Sequence, residues 1–526
     1  MSSPSTNPQP GAGRVSRNAV SQMGGRILYL ATRVGLPPFI LQHVSMEEYG
    51  IWATCFLIIG YIGMGAFGVS NVYIRYVAEY NATHRLKDIG ALLGAGLTIT
   101  LTFSAATLAG LWFSLPWLYA AFKIPPALQA TAATLILGTV ASMLLDMTFG
   151  AFAYVLQGLQ KITQQTAVWI LSYLVETLLM ILLLLNGFGI DGLLWAFVAR
   201  YVLATLIYVV LCHRAIPGLR IRFRGVGWPV YHLFFRYGGI MQVNGLLSIF
   251  LYSCERMVAG TLTGVASMVL LDIGQKFPMM SSQVFSSANN SLLSALTHLH
   301  SQDLRLEIVR LYLRGSRYLN LLNGLAMGFM APFALPIITG WMGANPLYHD
   351  SAMILVCAAV GYQCHAQTGP ATTYFQCIGK PERVLWAFIL PQLLLLGAAL
   401  AVFFSLSGHS LIAVVFAAAA ARAVSSVLFL LYTNSQLGVG QWAYVWQALL
   451  PGVAPYAVGY GLAFAGQGVW QAVGSERLAV IPALAAFGAV YGVVAFALLY
   501  AVFGQAEERL AVRRAFGRLI PRRRLN

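Results

Sequence analysis

"YVLQGLQKI", Tyr154–Ile162, and "TYFQCIGKP", Thr373–Pro381, both end an apolar run on a glutamine followed four residues later by a lysine. Gln157 and Gln376 are 219 residues apart, as are Lys161 and Lys380. At the same offset inside the two runs, Gly150 meets Gly369 and Asp146 meets His365. An ionisable side chain therefore precedes each exit at the same depth. "FGVSNVYI" and "FSSANNSL" add an echo, with Asn71 and Asn289 separated by 218 residues. Each match is short; together, at nearly one offset, they predict a duplicated unit.

Composition identifies what the runs exit from. The 526 residues are 59% hydrophobic and 9% charged, where a soluble domain carries about 25% charge. Apolar stretches of about 20 residues, each long enough to cross a bilayer, recur along the chain. Fourteen are expected, from residues 19–41 to residues 478–503. The strict apolar–polar alternation of membrane β-strands is missing, so the fold class is an all-α integral membrane protein. The doubled exits end the fourth and tenth spans. They are six spans apart, an even number, which gives two pseudo-symmetric six-helix lobes of like orientation, related by an axis along the membrane normal. Residues 19–213 form the first lobe and 238–432 the second. A linker, 214–237, joins them, and a helix pair, 444–503, follows. Residues 1–18 are expected to be disordered and 504–526 to form a basic tail.

Charge placement orients the chain. Most of its 32 lysines and arginines fall on the side of the two termini, whereas the opposite loops carry Lys123 and Arg477. Basic residues concentrate on cytoplasmic loops, so both termini are expected in the cytoplasm. Arg305, Arg310, Arg314 and Arg317 are counted there as loop residues. The net charge of +16 is thus topogenic, and nucleic acid is not an expected partner. The tail "RLAVRRAFGRLIPRRR" suits a surface helix on anionic membrane lipid, or a simple topology anchor. The start "MSSPSTNPQPGAG" lacks the basic n-region of a cleaved signal, so span one is expected to be retained. The six cysteines show no metal-binding spacing, and no Gly-rich nucleotide loop is present. Neither a metal nor a cofactor is expected.

The motifs carry a resemblance. "EEYGIW" (Glu47–Trp52), "FGVSNVYIRYVAEY" (Phe67–Tyr80), "CERMVAGTLTG" (Cys254–Gly264) and the two exits resemble Wzx-type polysaccharide flippases, members of the multidrug/oligosaccharidyl-lipid/polysaccharide exporter superfamily. Glu255 stands where that family more often has aspartate, and "VASMVLLD" replaces its Gly-x-Tyr at the start of span eight. The resemblance implies alternating-access translocation of an undecaprenyl-pyrophosphate-linked oligosaccharide across the bacterial inner membrane. It serves export of an exopolysaccharide, capsule or O-antigen, with a polysaccharide polymerase and co-polymerase as partners. In related flippases the extra helix pair borders a groove thought to accept the lipid tail; dense packing against the lobe is the plainer reading.

Such a substrate has a dense anionic head, so its cavity should be cationic. Charges within membrane spans usually face a cavity or one another. The basic candidates are Arg26, Arg33, Arg200, Arg256, Lys276 and Arg422. Arg26 and Arg33 are two turns apart on one face, and arginine's planar donor fork suits phosphate oxygens. Arg26 and Arg256 could equally snorkel, and Asp272 with Lys276 could form an i, i+4 pair. The polar and coupling candidates are Asp146, Glu176, Asp272, His365, Gln363 and Gln367. Gly369-Pro370 is expected to disturb the helix beside His365 and free carbonyls for sugar hydroxyls; helix–helix hydrogen bonding accounts for the same residues.

Two rival functions remain. A cation-coupled multidrug antiporter would share the fold but should favour carboxylates, and span one carries arginines. A polymerase or glycosyltransferase needs acid–base groups on the outer face, yet Glu47-Glu48, Asp191, Asp350 and Glu476 are scattered over four loops. An enzyme is therefore not expected.

Overall fold

The computed structural model describes residues 32–63, 69–83, 85–159, 161–223, 227–234, 254–286, 288–380, 382–408, 410–505 and 509. Expected spans one and seven lie largely outside these residues, as do Arg26 and the basic tail. Every described element is helical. The chain divides into two compact units, Met1–Val269 and Leu270–Asn526.

In the first unit, α1 (Met46–Gly63) opens "EEYGIW" on a capping box. The Ser45 N–H donates to Glu48 Oε2 at 2.8 Å and the Glu48 N–H donates to Ser45 Oγ at 3.2 Å, satisfying two orphan donors at once. After α2 (Val69–Ala82) comes α3, Leu86–Ala121. Its 36 residues rise about 54 Å at 1.5 Å each, so one end extends past a hydrocarbon core of about 30 Å. The fourth expected span is two helices, α4 (Gln129–Phe149) and α5 (Ala151–Gly158), broken at Gly150. A hairpin of α6 (Ile162–Leu185) and α7 (Gly189–Ala215) completes the unit's long helices.

The start of the expected linker is packed on this unit. Residues 216–223 run along the end of α3, where the Arg222 N–H donates to the Gly90 carbonyl at 3.0 Å. A Cβ on Gly90 would lie 2.1 Å from Arg220 O, and one on Gly94 would lie 1.7 Å from Arg222 O. Only glycine lets the strap approach this closely. Ile216, Leu219 and Phe234 then join Tyr73, Leu93 and Val155 in one buried apolar cluster.

In the second unit, α8 (Val265–Ser286, its first turn assigned to the first unit) leads into α9 (Ala288–Ser301). The next span bends by 70° between α10 (Arg305–Met330) and α11 (Ala334–Met342), where Pro332 interrupts the backbone ladder. The tenth span is again broken, into α12 (His349–Ala366) and α13 (Thr368–Cys377). The break falls at Gln367, not at Gly369-Pro370 as expected. Pro370 lies in the first turn of α13, where its missing N–H is no loss. Gly369 packs under the Asn289 side chain: a Cβ there would come within 2.3 Å of Asn289 Nδ2 and displace its amide. Breaks at Gly150 and Gln367 still give the two doubled spans the same architecture.

A hairpin of α14 (Leu390–Ser407) and α15 (Leu411–Leu437) follows, then α16 (Leu450–Ala465) and α17 (Arg477–Leu498). Short π-helical turns precede α14 and α16, at Leu385–Ile389 and Val445–Leu449, and a third, Leu499–Phe503, ends α17. The small-residue packing expected of the final pair is found between α10 and α16. A Cβ on Gly324 would lie 2.0 Å from the Gly452 carbonyl, and one on Gly459 would lie 2.0 Å from the Gly328 carbonyl.

Among the described residues, eight helices are long and apolar enough to cross a membrane, or nine with the bent α10–α11 pair counted as one span. Of the fourteen expected, spans one and seven lie largely outside the described residues, whereas the broken fourth span is counted among the eight as residues 126–158.

Candidate functional site

In the first unit, the candidates converge from three long helices and from residues 32–40. Glu176 on α6 is 3% exposed and accepts from Arg200 Nη1 of α7 at 2.9 Å. The Arg200 guanidinium also lies over Tyr173 (5.0 Å) and Tyr201 (4.9 Å). Thr32 donates to the Tyr173 hydroxyl at 3.0 Å. Its neighbour Arg33 lies over the Phe56 ring at 5.0 Å and within electrostatic range of Arg200. Asp146, one turn before the α4 break, is half-buried and feels the charge of Arg200. Arg33, Asp146, Glu176 and Arg200 thus form one neighbourhood with two positive and two negative charges.

The reason they are tolerated is local. A guanidinium over an aromatic face gains roughly 0.5–2 kcal/mol, and an ion pair removes the cost of burying either charge alone. Arg200 uses both devices.

In the second unit, Arg422 of α15 is 5% exposed and lies over Tyr362 of α12 at 5.1 Å. His365 is stacked with Phe388 of the first π turn, centroids 5.6 Å apart, and is within electrostatic range of Arg422. Gln363 donates through Nε2 to the Asn320 side-chain oxygen and, at 3.0 Å, to its backbone carbonyl. It therefore bridges helices as the plainer expectation allowed. Gln367 is buried at the span break. Lys276 and Asp272 form the anticipated i, i+4 pair at 2.5 Å. Glu255 is buried and Arg256 half-buried in the first unit. Among the described residues, no group of three His, Cys, Asp or Glu could hold a metal ion.

Sequence reading missed the aromatic partners Phe56, Tyr173 and Tyr201, and the contact of Tyr362 with Arg422, because ring–guanidinium contact is set by tertiary packing. It also placed Arg317 in a loop. Arg317 is 4% exposed inside α10. The signal was present in "RGSRYLNLLN", where Ser316, Asn320 and Asn323 recur at helical spacing on one face.

Residues 40–345 match the family model described as "Polysaccharide biosynthesis protein". This chain belongs to that family. Among solved structures, it resembles the lipid II flippase MurJ in an inward closed conformation, with TM-score 0.68 and 12% identity over 93% of this chain and 99% of that one. It also resembles an inward-facing multidrug resistance MATE transporter of the MOP superfamily, with TM-score 0.66 and 15% identity over 81% and 98%. A MOP superfamily transporter from Pyrococcus furiosus, whose binding pocket is described as reversed in polarity, aligns with TM-score 0.57 and 15% identity over 81% and 95%. No curated protein matches the sequence. At these identities the structural likeness shows a shared fold: a multi-pass membrane protein built like MOP-superfamily transporters.

Proposed function

We propose that this polysaccharide biosynthesis family member is a flippase. It moves a polyprenyl-pyrophosphate-linked oligosaccharide from the cytoplasmic to the outer leaflet of the bacterial inner membrane, with both termini cytoplasmic. The lobes at 19–213 and 238–432 alternate access, and a polymerase and co-polymerase consume the product. The family match and the fold shared with a lipid II flippase along 93% of this chain support the reading. The observation that carries it is the set Arg33, Arg200 and Arg422, held within the membrane region on aromatic rings. Arginine's planar donor fork matches the oxygens of a phosphate or sugar acid, and a ring face holds the fork in place. In this scheme Arg256 and Lys276 add positive charge, while Asp146, Asp272, Gln363, Gln367 and His365 line the polar network. No catalytic role is assigned to any residue.

Replacing Arg33, Arg200 and Arg422 together by alanine should abolish polysaccharide export at unchanged membrane abundance. Lysine at the same positions should restore part of it. Full export from the triple alanine variant overturns the arginine assignment. Glu176 and Asp146 beside Arg200 favour a second reading, a cation-coupled antiporter of drugs, to which the fold shared with multidrug resistance MATE transporters also lends support. That reading predicts that Asp146→Asn removes resistance to cationic drugs in sensitised cells while polysaccharide export continues.

A further inference from the structure

Proline has no N–H, so Pro451 leaves the carbonyl four residues earlier, that of Gln447, without its helical donor. The π turn at Val445–Leu449 is the local consequence, with the Leu450 N–H reaching back to the Val445 carbonyl. The same order of residues occurs before α14, where "WAFILP" (Trp386–Pro391) matches "WQALLP" (Trp446–Pro451) and again yields a π turn. The proline therefore builds the turn. What satisfies it is a separate matter.

At α16 the released acceptors are taken by α10. Arg317 Nη1 donates to the Gln447 carbonyl at 3.1 Å. Its Nη2 donates to the Phe503 carbonyl at 2.5 Å, at the end of the π turn that closes α17. One turn along α10, Asn320 Nδ2 donates to Ala448 O at 2.6 Å and to Leu449 O at 2.8 Å. Next come the direct backbone approaches of Gly324 to Gly452 and Gly328 to Gly459. Tyr491 of α17 donates to the Leu325 carbonyl at 2.9 Å.

We propose that Arg317 is a positioning residue that couples the final helix pair to α10, by donating at once to backbone acceptors in the π turns of α16 and α17. Through this clamp the pair moves with α10 during transport. The fork of the guanidinium is what allows two helices to be held by one side chain; a lysine ammonium at the same site reaches one of them. The part of the proposal that concerns transport rests on the flippase reading, whereas the clamp itself does not.

The test is a double-mutant cycle on the purified full-length protein, using Arg317→Gln, Arg317→Lys, Pro451→Ala and the Arg317→Gln/Pro451→Ala combination. Arg317→Gln should lower the thermal unfolding midpoint by about 5 °C, and Arg317→Lys by less. Pro451→Ala restores a backbone N–H for Gln447, so the combination should regain about half of the loss. Any substitution that merely removed packing would add to Pro451→Ala. Additive midpoints overturn the clamp. Should Arg317→Gln not yield protein, Arg317→Lys with and without Pro451→Ala decides the same point. Translocation of a fluorescent polyprenyl-pyrophosphate oligosaccharide in vesicles is the second readout. A several-fold slower rate for Arg317→Gln, partly rescued by Pro451→Ala, supports the positioning role. Wild-type rates from Arg317→Gln overturn that role, and no translocation by the wild type overturns the flippase reading, while the midpoints still judge the clamp.

Discussion

At the scale of single residues, the molecule keeps charges where charge is costly. Glu176 and Arg200 have side chains only 4% and 11% exposed, and each makes the other tolerable. Breaking such a pair from one side leaves a buried charge uncompensated, at a cost of about 3–5 kcal/mol. Arg200→Ala should therefore destabilise the protein more than the double change Glu176→Gln/Arg200→Gln, which leaves two neutral amides. Thermal unfolding in detergent checks the order; equal losses would mean that the pair is not coupled. Both residues were recognisable in the sequence as intramembrane charges. Their pairing was not, because 24 residues and a turn separate them and only the packing of α6 on α7 brings them together. Lys276 and Asp272 were legible as a pair because four residues of helix fix their distance.

At the scale of elements, two close approaches make definite predictions. The strap at residues 216–223 depends on Gly90 and Gly94, and the Cβ of valine at position 94 would overlap the Arg222 carbonyl. Gly94→Val should release the strap, so that trypsin cleaves after Arg220 or Arg222 several times faster in otherwise folded protein. Unchanged cleavage would show that the strap can shift to make room. On α17, Ala485 is exposed, whereas a Cβ on Gly488 would already meet the Phe329 ring at 3.5 Å. Ala485→Trp should leave the unfolding midpoint within a degree or two, whereas Gly488→Trp should lower it by several degrees. If the pair also borders a groove for the lipid tail, Ala485→Trp should slow translocation despite its stability. The doubled exits were legible because apolar run length and the Gln–Lys spacing survive in the sequence. The site of the second break was not, since Gly-Pro reads as a breaker wherever it falls, and only a helix start makes Pro370 harmless. The π turns before α14 and α16 were missed because their signal is a single proline acting on the turn before it.

At the scale of the whole molecule, the fold and family are those of a transporter-like membrane protein. The described part of the first unit joins an acidic pair, Asp146 and Glu176, to two arginines on aromatic rings. In the second, Arg422 stands over Tyr362 and His365 over Phe388. Such mixed charge and aromatic surface suits a substrate with both phosphate and sugar, and it differs from a purely acidic site for cations. The most direct test is translocation in vesicles containing only the purified protein and a fluorescent polyprenyl-pyrophosphate-linked oligosaccharide, followed by chemical quenching of the outer leaflet. A flippase of this kind should equilibrate the quenchable fraction several-fold faster than protein-free vesicles do, and the triple variant Arg33→Ala/Arg200→Ala/Arg422→Ala should lose this gain. Equilibration no faster than in empty vesicles, or at the wild-type rate in the triple variant, would contradict it.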